Sequence, residues 1–212
     1  MPARIGGVNW GRVAVDPVRQ VAVIAVNRIA EMVQLIPREG FDLQRARSEE
    51  QTRLGDDFEY NMMRGTPYVM RRRLLLAPSR LPCTPPPFGA LVAIDLTTGR
   101  RQWEVPLGSM ASVLTPDVAP QTKPDWGSVN LGGATASASG VVFIGAALDR
   151  RLHAYDIETG SELWQGELPA GAKATPMTYR LASGAEYVAV AAGGGGAWGT
   201  GDYVVTFRLP SQ

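Results

Sequence analysis

Three places in the sequence set residue types at spacings that could serve a ligand. Residues 6–11 read GGVNWG, which puts the amide of Asn9 and the indole of Trp10 behind two glycines. An amide can donate a hydrogen bond to a ligand oxygen. Read on residue types alone, Asn9 is a turn residue and Trp10 a packing aromatic. Gly132 and Gly133 form a second place. Paired glycines let main chain approach closely, either to a ligand or inside a crowded inner strand. The third is Gly194, Gly196 and Gly199, which fit G-x-G-x-x-G. A dinucleotide loop must join a strand to a helix. Here Gly201 and a strand follow, so dinucleotide binding is set aside.

Few other groups can do chemistry. One cysteine, Cys83, rules out an internal disulfide framework and a multi-cysteine zinc site. One histidine, His153, leaves a histidine-based triad a single candidate; beside Ala154 and Asp156 in strand sequence, it is expected on the surface. The acid pairs Glu49-Glu50 and Asp56-Asp57 fall in a charged stretch and read as solvated. Lys plus Arg number 21 against 20 Asp plus Glu, so net charge points to neither nucleic acid nor an anionic membrane surface.

These groups need elements to hold them, and the elements repeat. Residues 91–103 read LVAIDLTTGRRQW and residues 152–164 read LHAYDIETGSELW. Both fit A-x-D-x-x-T-G-x-x-x-W, with Ala93, Asp95, Thr98, Gly99 and Trp103 answered by Ala154, Asp156, Thr159, Gly160 and Trp164. Each copy predicts a hairpin. Asp and Thr bind local backbone, Gly takes the positive-φ position, and the Trp packs on the next repeat. Further strand pairs flank turns at Asp16-Pro17, Ser139-Gly140 and Ser183-Gly184, and residues 203–209 form the last strand. About eleven strands result, with no helix of core length. Gly at 24 and Pro at 16 of 212 residues agree with many turns. Radial repetition of four-stranded antiparallel sheets is a β-propeller. The fold class is therefore all-β, a partial propeller over residues 1–212 with two complete blades and a three-stranded third.

The pattern breaks over about residues 38–88, read as an insertion, either a lid or a surface excursion. It holds a short helical stretch around 45–53, a basic triplet Arg71–Arg73 read as solvated, and a rigid Pro85–Pro87. No stretch approaches 18 apolar residues and MPARIGGVNWG lacks an apolar leader core, so the chain shows no signal or transmembrane segment and reads as an internal piece of something longer.

The tryptophan-bearing repeat resembles the tryptophan-docking motif of the quinoprotein alcohol dehydrogenases. GGVNWG, RGTPYVMRR (64–72), LPCTPPPFGALVAIDLTTG (81–99), NLGG (130–133), VVFIGAALDRRLHAYDIETG (141–160), LPAGAKATPMTY (168–179) and GDYVVTFRLP (201–210) together resemble the C-terminal part of membrane-bound PQQ-dependent glucose and quinate dehydrogenases. The resemblance implies the last blades of an eight-bladed propeller on the periplasmic side of the inner membrane. It implies oxidation of a sugar or cyclic polyol by pyrroloquinoline quinone (PQQ) with a calcium or magnesium ion, ubiquinone being the electron acceptor. Upstream blades, absent here, would carry the catalytic Asp, most metal ligands and the quinone-facing Lys.

By that resemblance the cofactor-binding residues of this chain are Asn9, Trp10, Leu131, Gly132 and Gly133, with no catalytic residue and no metal ligand. Asn9 would donate to PQQ, and Leu131 replaces a Trp of some alcohol-oxidising relatives, as in the sugar and polyol branch. The glycine-rich loop after residue 193 and the stretch 111–129 are shorter than the family's, and Gly195 or a neighbour replaces a common His. Two other readings stand beside this one: a redox-inert propeller that binds proteins, and a truncated reading frame without function.

Overall fold

The computed structural model describes residues 5–8, 11, 13–53, 58–79, 81–114 and 116–209. The chain enters on β1 (Gly7–Val8) and β2 (Ala14–Asp16), both antiparallel to β3 (Val21–Asn27). Val8 faces Val26 and Ala14 faces Val23, so β1 and β2 pair in turn along the same edge of β3 and together serve as the blade's inner strand. Next come β4 (Glu31–Pro37), helix α1 (Leu43–Arg53), β5 (Glu59–Asn61) and β6 (Tyr68–Leu74). The blade resumes with β7 (Gly89–Asp95), paired along all seven residues of β3, and closes with β8 (Arg101–Pro106).

The second blade is β9 (Ala134–Ala136), β10 (Val141–Ile144), β11 (Arg151–Asp156) and β12 (Glu162–Glu167), each paired with its sequence neighbour. The third is β13 (Met177–Arg180), β14 (Glu186–Ala192) and β15 (Tyr203–Arg208). With β1 and β2 counted as one, the blades use the eleven strands expected from the sequence. The remaining strands, β4, β6 and β5, form their own sheet inside the excursion, which reaches back to Glu31.

Alternation along each strand sends side chains to two neighbours. Val23, Leu91 and Ala93 of the first blade meet Val142, Ile144, Tyr155 and Ile157 of the second. Phe143, Leu152 and Ala154 point the other way, onto Val188, Val190 and Ala192 of the third. The repeat turns behave as their sequence predicts. Asp95 Oδ1 accepts from the Thr97 and Thr98 amides, and Asp156 Oδ1 from those of Glu158 and Thr159. Gly99 and Gly160 take φ of 69° and 73°. Trp103 Nε1 donates to the Ile157 carbonyl at 2.8 Å and its ring lies on Gly160, joining blade one to blade two.

The excursion corrects one expectation. Arg71–Arg73 are not a solvated basic face. They lie in β6, half-buried, with Arg72 paired to Glu59 at 2.5 Å and the Arg71 and Arg73 guanidiniums 4.6 and 4.8 Å from the centre of the Phe58 ring. A guanidinium stacks readily on an aromatic face, which lets it leave water at low cost.

Candidate functional site at the axial rim

Strand direction sorts the connections. Each inner strand runs away from one rim, so the tight hairpin turns, including both D-x-x-T-G turns, collect at the opposite rim. The long connections all collect at the first: residues 28–88, 107–133, 145–150, 168–176 and 193–202. The approaches to the three inner strands meet there. A Cβ on Gly11 would overlap the Gly132 carbonyl, and one on Gly133 would overlap both the Gly11 carbonyl and Thr175 Oγ1. A Cβ on Gly132 would stand 3.1 Å from the Lys173 carbonyl oxygen and 3.0 Å from Ala146 Cβ. Contacts between blades thus account for glycine at positions 11, 132 and 133, because no larger residue fits where three blades converge.

Of the residues expected at a cofactor, Gly132 and Gly133 are at this convergence. Leu131 is half-buried beside them; its amide donates to the Ala146 carbonyl and its side chain joins a rim cluster with Ile29, Phe88, Met110, Val129, Leu148 and Trp198. Asn9 and Trp10 lie outside the described residues, between Val8 on β1 and Gly11 at the convergence. Asp56-Asp57 are outside them as well.

Sequence reasoning did not find two arrangements that build this rim. Asn27 and Asn130 are both buried. Asn27 Nδ2 donates to the Asn130 carbonyl at 2.7 Å, the Asn130 amide donates to Asn27 Oδ1 at 2.9 Å, and Asn130 Nδ2 donates to the Val26 carbonyl at 3.1 Å. The NLGG segment is thereby bolted to the end of β3. The only sequence signal is an Asn at the end of one strand and another four residues ahead of the next, which says nothing of their pairing.

His153 is the second, and it overturns the expectation of a surface side chain. It is 3% exposed. Its Nδ1 lies 2.6 Å from Glu162 Oε1 and its Nε2 3.2 Å from Asp149 Oδ2. Burial works against a charged ring, yet the hydrogen bonds to Asp149 and Glu162 outweigh it and raise the pKa to about 9. At neutral pH the ring is an imidazolium that donates to both carboxylates. Asp149 also accepts from the Ser109 amide at 3.1 Å, which carries the link into the first blade's rim connection. The carboxylate four residues before His153 is a signal that could have found it.

On the third blade's side, Lys173 spans the rim. Its Nζ donates to the Gly194 carbonyl at 2.7 Å and lies 4.7 Å from the centre of the Trp198 ring. Trp198 is buried and its Nε1 donates to the Ala146 carbonyl at 3.0 Å, tying the glycine-rich loop to blade two. Between this loop and the excursion lies an apolar cavity of about 220 Å³, walled by Ile29, Leu74, Met110, Leu148 and Trp198 among others. Among the described residues, no group of three His, Cys, Asp or Glu stands ready to hold a metal ion, and no helix is long and apolar enough to cross a membrane.

Comparison with known proteins matches this architecture. The PQQ family model described as glucose/ethanol/alcohol dehydrogenase, β-propeller domain, matches residues 1–188. The chain is 37% identical to quinoprotein glucose dehydrogenase of Escherichia coli (strain K12) over 100% of its own length and 26% of the relative's. It is 34% identical to quinate/shikimate dehydrogenase (quinone) of Acinetobacter baylyi, over 98% of its length and 26% of the relative's. It is 35% identical to the glycerol dehydrogenase large subunit of Gluconobacter oxydans, over 100% and 29%. The crystal structure of quinohemoprotein alcohol dehydrogenase from Comamonas testosteroni superposes with a TM-score of 0.61 at 23% identity, covering 100% of this chain and 28% of that one. The chain spans about a quarter of the length of the curated relatives it matches.

Proposed function

The chain belongs to the glucose/ethanol/alcohol dehydrogenase β-propeller family, and on that premise we propose that it forms consecutive blades of a PQQ-dependent dehydrogenase. In this reading the whole enzyme oxidises a CH–OH group of a sugar or cyclic polyol on the periplasmic side of the inner membrane. Ubiquinone takes the electrons, and calcium or magnesium assists. The other blades of the propeller are the chain's necessary partners. The observation that carries the reading is the convergence of Gly11, Gly132, Gly133 and Lys173 at one axial rim, in a chain whose family is defined by a quinone cofactor.

The residues present fit one wall of a site for a flat, tricarboxylated quinone. They offer main chain at Gly132-Gly133, a cation at Lys173, and a loop with open space around Gly195 and Gly196, where an added Cβ would meet nothing within 4 Å. Bound there, PQQ would supply the two-electron acceptor that the chain's own side chains lack. The chain's part is to position and enclose. Asn9 would donate its amide hydrogen to a cofactor oxygen, with Trp10 beside it, and Leu131 and the Gly132-Gly133 backbone would shape the wall. Asp149 is committed to His153 and the Ser109 amide. We therefore assign the catalytic base and the cation ligands to other blades.

The test is a dye-linked dehydrogenase assay with PQQ and calcium on two samples, this chain alone and the propeller completed with its other blades. Sugar or polyol oxidation by the completed propeller only is the expected result. Cofactor-dependent turnover by the chain alone would overturn the division of labour. No PQQ binding by the completed propeller would overturn the functional reading itself.

A further inference from the structure

Lys173 holds its charge in an unusual way. The side chain is half-buried and bridges two rim connections, from the approach to β13 across to the glycine-rich loop. Its acceptors are the Gly194 carbonyl at 2.7 Å and the Gly195 carbonyl at 3.5 Å, and the Trp198 ring faces it at 4.7 Å. Among the described residues no carboxylate lies within ion-pair distance. Carbonyl dipoles and an indole face solvate an ammonium but leave its charge uncompensated. The Lys173 main chain borders the proposed site, since its carbonyl oxygen, with Ala146 Cβ, is what a Cβ on Gly132 would press. The loop beneath is built for access. Gly195 and Gly196 take φ of 68° and 61°, and an added Cβ at either would meet open space.

We propose that Lys173 is the cationic anchor of the rim and pairs with a carboxylate of the bound ligand. This rests on the functional reading above and adds to it the residue that neutralises the ligand's charge. The carboxylate has two possible sources of one chemistry, the tricarboxylated cofactor or a polyol substrate that is itself an acid. An ammonium held half-buried by dipoles is pre-organised for such a partner, because its desolvation and its orientation are already met before the ligand arrives.

The experiment uses the completed propeller with Lys173→Gln and Lys173→Arg. Gln keeps an amide donor for the Gly194 carbonyl without the charge; Arg keeps the charge. PQQ affinity is read by fluorescence titration, KM is measured for a neutral sugar and for a carboxylated polyol, and thermal melting reports the loop. If the cofactor supplies the carboxylate, Lys173→Gln weakens PQQ binding roughly ten- to a hundredfold, as for loss of one charge-assisted hydrogen bond, and Lys173→Arg restores most of it. If the substrate supplies it, PQQ affinity holds and KM rises by a similar factor for the carboxylated polyol alone. Unchanged PQQ affinity and unchanged KM for both substrates in Lys173→Gln would overturn the proposal, as would losses in which Gln and Arg behave alike and melting falls with them. Failure of the wild-type propeller to bind PQQ would count against the functional reading instead.

Discussion

Asn27 and Asn130, 103 residues apart and 3% and 2% exposed, exchange two hydrogen bonds across the boundary between the first and second blades. The Asn27 side chain serves both the amide and the carbonyl of Asn130, and the Asn130 side chain donates to the Val26 carbonyl. Asn27→Ala leaves the Asn130 amide and carbonyl buried without partners, so its cost should fall toward the upper end of the ~1–3 kcal/mol typical of an orphaned buried group. Urea denaturation of the propeller carrying these blades measures it. A loss under about 0.5 kcal/mol would show that the pair is dispensable.

The two repeat tryptophans should differ, although their sequence contexts are alike. Trp103 is half-buried, donates to the Ile157 carbonyl and covers Gly160. Trp164 is 40% exposed and packs edge-on against Phe207 at 4.9 Å, with no such acceptor among the described residues. Trp103→Ala is expected to cost about 3 kcal/mol and Trp164→Ala about half of that, the exposed part of the ring contributing little. Equal costs in parallel denaturation curves would refute the distinction.

His153 makes stability depend on pH. Its pKa is raised in the folded protein to about 9 from an ordinary value of 6.5. A raised value means that the folded state holds the proton more tightly. The stabilisation is therefore complete below about pH 6.5 and is lost as pH rises through 9, an effect on the order of 3 kcal/mol. Denaturation midpoints at pH 6 and pH 9.5 should separate in the wild type and converge in His153→Gln. A pH-independent difference between the two proteins would place the histidine's role in packing alone.

The rim glycines divide into two kinds. Gly133→Ala drives a methyl group into the Gly11 carbonyl and Thr175 Oγ1, both from other blades, and should cost roughly 3 kcal/mol or more through overpacking. Gly195→Ala meets open space and faces only its positive φ, about 1–2 kcal/mol. Thermal melts of the two variants, run side by side, give the order. A milder effect for Gly133→Ala would mean that the blades part easily at the axis.

What could be read from the sequence was what is local. The D-x-x-T-G turns follow from hydrogen bonds that span two to four residues, and the hairpin pairing from alternation along each strand. Bonds between distant segments were not readable. Asn27 and Asn130 carry no pattern that pairs them. His153 sits in strand sequence like many solvated histidines; Asp149 four residues earlier was a readable sign, whereas Glu162 reaches the other ring nitrogen only through the pairing of β11 with β12. The same holds for Arg71 and Arg73, whose burial depends on Phe58 reaching them from just before β5. Lys173 went unremarked because its surroundings come from the glycine-rich loop about twenty residues later.

The central claim is that the rim formed by residues 130–133 and 171–175 is a wall of the cofactor site. Hydrogen–deuterium exchange on the completed propeller, with and without saturating PQQ, tests it directly. PQQ should slow amide exchange at Gly132, Gly133 and Lys173 while leaving the D-x-x-T-G turns at the far rim, Asp95–Gly99 and Asp156–Gly160, unchanged. Saturation with PQQ and no change in exchange over 130–133 and 171–175 would contradict it.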